Sequence, residues 1–168
     1  MFGVLYRPAE FAFGGESSMN PEEFRAYVRH AFAFLRDDYG FKEERVLKRD
    51  LADQQFQVRF ANPTTRVVVL GIHWGFGIDI RLASCDASLM SEESYCFDDL
   101  LAIRAPEFQH IAAGPEDTRG IQGRQLDQYA EALRRYAKDV LEGTFTMFPR
   151  LAAAIEERRR EYDRERGQ

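Results

Sequence analysis

The sequence predicts an α+β domain: an N-terminal helix, a three- to four-stranded antiparallel meander sheet, and two C-terminal helices packed on that sheet. Three observations predict it. Apolar residues alternate with period two through Phe56–Leu82, interrupted by turn residues. Stripes of apolar residues at three- and four-residue spacing flank that stretch on both sides. The 168 residues are 45% hydrophobic and 13% aromatic, enough to bury one sizeable core without disulfide staples.

Residues 1–18 come first, with VLYRP and FAF ahead of Gly14-Gly15. They read as a leader or a short strand, with Met19 as a second plausible start and the domain proper spanning 19–168. Asn20, Pro21 and Glu23 then supply an N-cap, a first-turn proline and a capping-box partner. Phe24, Tyr27, Val28, Ala31, Phe32, Leu35 and Tyr39 make the apolar face of a helix over 21–39, which Gly40 ends. Phe41–Ala52 is rich in Lys, Arg and Glu, as suits an exposed edge strand.

In the meander, Phe56, Val58 and Phe60 alternate with Gln57 and Arg59. Asn62-Pro63-Thr64-Thr65 is a turn, because proline presets φ and the Asn side chain can bond its own backbone. Arg66–Trp74 is almost continuously apolar, the mark of a central strand covered on both faces. Gly75-Phe76-Gly77 turns the chain into Ile78, Ile80 and Leu82, which alternate with Asp79 and Arg81. The second sheet face therefore needs a cover, from residues 1–18, the long loops or a second subunit.

A polar loop after Leu82 leads to Tyr95–Ile103, read as a short strand entering a helical turn. Ala105–Gly123 lacks periodicity, and so long a loop is functional or mobile. Leu126, Tyr129, Ala130, Leu133, Tyr136, Ala137, Val140 and Leu141 trace a helix that stops at Gly143. A last helix starts near Phe145 and runs out into the all-charged EERRREYDRER, a solvated end.

Charge is distributed unevenly. The net is −5, yet residues 76–117 alone carry nine carboxylates against Arg81 and Arg104. That sign disfavours nucleic acid, which is bound by neutralising phosphates with Lys and Arg. No apolar run is long enough to span a bilayer, and the N-terminus lacks a secretory pattern, so the expected location is the cytoplasm. Cys85 and Cys96 match no zinc spacing and are expected to be a reduced pair.

The candidate chemistry is thin. His30, His73 and His110 fall on different elements, and no spacing pairs them with carboxylates as metal ligands do. Asp98-Asp99 with Asp79 could assemble a cation or acid/base site, although adjacent Asp residues before Leu100-Leu101 more often favour a helix N-terminus. His73 and Trp74, with Asp79, would line a ligand pocket under the 105–123 loop. Neither cysteine has a His or a basic cluster nearby in sequence to lower its pKa. No cofactor, metal or catalytic residue is expected.

Four segments carry a resemblance: FLRDDYGF at 34–41, V-x-F-x-N at 58–62, YxFxDLL at 95–101, and LxxYAxxLRRYAxxVLEG-x-F-x-x-F at 126–148. Over about residues 20–155 this layout resembles immunity proteins of bacterial toxin systems, which implies a non-catalytic, partner-binding role. The residues then expected to bind a basic partner, a toxin domain for instance, are Asp79, Glu92, Glu93, Asp98, Asp99 and Glu107 for charge, with Tyr95 and Phe108 as anchors. The competing readings are a small-ligand-binding domain or enzyme around His73 and Trp74, and a structural homodimer that covers the open sheet face.

Overall fold

A computed structural model describes residues 18–46, 55–72, 77–85, 94–112 and 118–166. It is α+β, with a five-stranded antiparallel sheet in the order β1-β2-β3-β4-β5. The strands are β1 (Lys42–Glu44), β2 (Gln57–Ala61), β3 (Thr65–Ile72), β4 (Gly77–Ser84) and β5 (Ser94–Cys96). The fifth strand, beyond the three or four expected, is the short segment at Tyr95. It is the short strand expected there ahead of a helical turn, and it pairs antiparallel with β4.

Period two decides the two sheet faces. Val58, Val69 and Ile80 stand opposite one another across β2, β3 and β4, and Phe60, Val67, Leu82 and Tyr95 form a second row. All seven are buried in the main core. Their neighbours Arg59, Val68, Arg81 and Cys96 line up on the opposite face. There Val68 and Ala83 are buried as well, as the apolar run of β3 predicts.

The helices close the core. The capping box at Asn20 forms as expected, with the Asn20 side chain accepting from Glu22 and Glu23 and the Glu23 carboxylate accepting from the Asn20 N–H. The predicted helix 21–39 is divided into α1 (Pro21–Ala31) and α2 (Ala33–Tyr39) by Phe32. A tight Leu35 N–H to Phe32 carbonyl bond bends the chain there, with Phe32 and Leu35 both fully buried. Gly40 ends α2 at φ 67°, the left-handed position expected for it.

After β5 the chain enters α3 (Phe97–Arg104), and then α4 (Thr118–Tyr136), α5 (Lys138–Leu141) and α6 (Phe148–Arg166). Helix α4 begins well before the periodic stripe at Leu126, and its first turns contain Gly120 and Gly123, poor helix formers that give no sequence signal for it. Gly123 has a packing reason: a Cβ there would meet the Tyr27 hydroxyl at 3.0 Å, so glycine lets α1 and α4 cross closely. The charged end of α6 is solvated as expected, with an Arg160–Glu156 pair at 3.1 Å.

Polar contacts fasten the helices to the sheet. Asn62 Oδ1 accepts from the N–H groups of Thr64 and Thr65 at 3.0 and 2.7 Å, forming the expected turn. Asn62 Nδ2 then donates to the Leu141 carbonyl at 3.2 Å, and Thr65 Oγ1 donates to the Val140 carbonyl at 2.8 Å. Gly143 sits against this turn at φ 85°, where a Cβ would lie 2.5 Å from Thr64 Oγ1. Arg104 spans from α3 to the α4–α5 junction, donating to the Tyr136 carbonyl and forking onto both Asp139 oxygens at 2.6 Å. That hydrogen-bonded fork holds the Asp139 pKa below the usual carboxylate range.

Two stability measurements follow from these contacts. Gly143→Ala should cost about 1–3 kcal/mol in denaturant titration, since φ strain and the Thr64 clash act together. Arg104→Ala should cost about 1.5–3 kcal/mol at neutral pH. Because the folded-state pKa of Asp139 is depressed, its contribution is present above the unfolded value and lost as pH falls through the folded one. The gap between wild type and Arg104→Ala should therefore narrow in acid.

Candidate functional site

Among the described residues, a group of interacting titratable side chains lies at the β5 edge. The β4–β5 register sets Arg81 beside Cys96, with Asp79 two residues earlier on the same face. Helix α3 starts immediately after β5, so Asp98 and Asp99 fall in its first turn. Helix α4 contributes Tyr129, and the segment after α3 contributes Phe108 and His110. Two glutamines pin that segment to α4: Gln125 donates to the Ile111 carbonyl at 2.7 Å, and Gln128 donates to the Gln109 carbonyl at 2.7 Å. Residues 105–112 of the expected long loop are thus fastened to a helix.

The hydrogen bonds form two short chains. The Tyr129 hydroxyl donates to Asp98 Oδ1 at 2.9 Å and lies 3.1 Å from His110 Nδ1. Cys96 Sγ donates to Asp79 Oδ1 at 3.1 Å, while Arg81 Nε donates to Asp79 Oδ2 at 2.8 Å. Asp99 is ion-paired with Arg158 of α6. The rings of Phe108, His110 and Tyr129 pack together, with centroids 5.1–6.1 Å apart.

Burial and crowding of negative charge govern the protonation states. Burial raises the Asp98 pKa, and the charges of Asp79 and Asp99 add to the rise, against the Tyr129 hydrogen bond and His110. Burial first, then the Asp98 charge, raises Tyr129, which stays a firm donor. Burial and Asp79 push the Cys96 thiol up to about 12. A thiol so fully protonated is no nucleophile at neutral pH. The arrangement can attract a cationic group; it is not built for attack on an electrophile.

The expected site residues are scattered more than one surface would require. Asp79, Asp98, Asp99 and Phe108 are brought together, with the exposed Glu107 next to Phe108. Glu92, Glu93, His73 and Trp74 lie outside the described residues. Tyr95 is not available as an anchor. It faces the helices opposite Leu82 and packs on Phe148 with centroids 4.6 Å apart, so it belongs to the core. Asp98 and Asp99 lie at a helix N-terminus as expected, in the first turn of α3 with Cys96 at the N-cap, and their carboxylates bond Tyr129 and Arg158.

Sequence reasoning missed Tyr129, His110, Arg81 and Arg158. Tyr129 sits on the apolar stripe of its helix, where its hydroxyl gives no periodic signal, and Arg158 lies in a tail that looks merely solvated. The two cysteines are both free thiols. Cys96 pairs with Arg81 and Cys85 lies four residues further along β4, about 13 Å at strand rise and too far for a disulfide.

Among the described residues, no group of three or more His, Cys, Asp or Glu side chains is placed to hold a metal ion. Nor, among them, is any helix long and apolar enough to cross a membrane. No protein-family model, curated protein or solved structure matches this chain. The site must therefore be read from its own chemistry. In the native protein Cys96 should react with iodoacetamide much more slowly than in urea, as mass spectrometry of the Cys96 peptide would show. Rapid native labelling would contradict the protonated thiol.

Proposed function

We propose that this protein is a non-catalytic binding protein that captures a basic partner protein, as an immunity protein captures its toxin, through the acidic group at the β5 edge. One observation carries the reading. Asp79 and Asp99 already hold arginines, whereas Asp98, whose pKa is raised first by burial and then by the Asp79 and Asp99 charges, bonds only the Tyr129 hydroxyl and has no cationic side chain paired with it among the described residues. A lysine or arginine brought by a partner would complete the neutralisation. Asp98 and Glu107 supply that charge, and Phe108 and His110 offer ring surface beside it.

The geometry also suits fast capture. Tyr129, Arg81 and Arg158 hold the carboxylates in place before any partner arrives, which limits the ordering cost of binding. Opposite charges across the interface would accelerate encounter and select against acidic partners.

The test uses the product of the adjacent gene, or a protein retained from the host lysate, on a biosensor. Charge reversal by Glu107→Lys with Asp99→Arg should slow association and flatten its dependence on salt. Binding a cation favours ionised Asp98, so affinity should also fall as pH falls through the raised Asp98 pKa, and Asp98→Asn should remove that dependence. Association kinetics indifferent to both changes would exclude this face.

A further inference from the structure

We propose that the groove at the outer edge of β1, which has no second strand partner among the described residues, receives an extended acidic segment of a partner protein, which adds a strand to the sheet. This site lies at the edge opposite the acidic group and does not depend on the reading given for it. Strand β1 is the last of the sheet order and, among the described residues, pairs only with β2. An edge strand presents unpaired N–H and C=O groups to any extended chain.

Beside this edge, α1 and α2 overhang a groove of about 570 Å³. Its base is apolar, from Phe32, Phe41 and Phe60, and its mouth is cationic, from Arg29, Arg36 and Lys42. Arg29 is committed, since it forks onto Glu43 with two contacts of 2.8 Å. Arg36 reaches only Asp37, its exposed sequence neighbour, and such surface pairs are worth little. Lys42 has no carboxylate partner among the described residues. Lys42 is therefore open to an incoming carboxylate, and Arg36 can exchange its exposed Asp37 pair for one.

The three residues of β1 can supply only a few main-chain hydrogen bonds. Phe32 and Phe41 are almost wholly buried, so specificity must come from acidic side chains beside Arg36 and Lys42 rather than from ring contacts. Charge also chooses between occupants. Two copies of this chain meeting at β1 would bring two cationic mouths together, whereas an acidic segment is attracted to one.

The probe is a fluorescein-labelled, N-acetylated octapeptide alternating Glu and Val, with a Lys–Val octapeptide as its charge control. Fluorescence anisotropy should show saturable binding of the Glu–Val peptide alone, and amide shifts should cluster at Lys42–Glu44. The double variant Arg36→Glu, Lys42→Glu should weaken binding at least tenfold. The neutral pair Arg36→Ala, Lys42→Ala should weaken it less, and replaces the reversal if that variant does not fold. The proposal fails if the Glu–Val peptide does not bind or if the Lys–Val peptide binds as well. It also fails if the variants leave binding unchanged, or if sedimentation shows a dimer that the same variants abolish.

Discussion

Two rows of side chains crossing the sheet set the terms for everything else in this fold. Val58–Val69–Ile80 and Phe60–Val67–Leu82–Tyr95 form one continuous apolar surface that must be kept from water. Helices α1, α3 and α4 meet that need, bringing Phe24, Val28, Phe97, Leu100, Leu126 and Leu133 against it. Each such side chain contributes about 1.5–3 kcal/mol when fully buried. A slip of one residue in any strand would turn Arg59, Arg66 or Arg81 inwards. The register is therefore held by the cost of burying arginine as much as by the gain from burying valine.

Polar contacts decide how the helical layer sits on this surface. The Asn62–Thr65 turn bonds to the carbonyls of Val140 and Leu141, so α5 is tied to the turn between β2 and β3. Arg104 does similar work between α3 and the α4–α5 junction. Buried apolar packing is tolerant of sliding, whereas a forked guanidinium or a carbonyl bonded at 2.8 Å is not.

The charge pattern gains meaning from the same architecture. Among the described acids of the middle third, three are answered from inside the molecule: Arg81 takes Asp79, Arg158 takes Asp99, and Tyr129 bonds Asp98. Glu107 is left exposed. The two sheet edges then differ in character, with a partly neutralised acidic group beside β5 and a cationic, apolar-based groove beside β1.

Much of the fold was legible in the sequence because its signals are local. The capping box at Asn20, the left-handed Gly40, the Asn62 turn, the alternation from Phe56 to Leu82 and the stripe from Leu126 to Leu141 each depend on residues a few positions apart. The bend at Phe32 and the early start of α4 were hidden. Each involves a partner distant in sequence: the core beneath Phe32, and Tyr27 against Gly123.

The candidate site was legible only as a composition. Sequence alone determined that acids concentrate between 76 and 117, and that Asp79, Asp98 and Asp99 are carboxylates worth watching. Which of them are neutralised, that Tyr95 is core, and that His110 and Tyr129 join the group were decided by tertiary structure alone. Periodicity reports which way a side chain faces; only the packing of separate elements determines what it meets there.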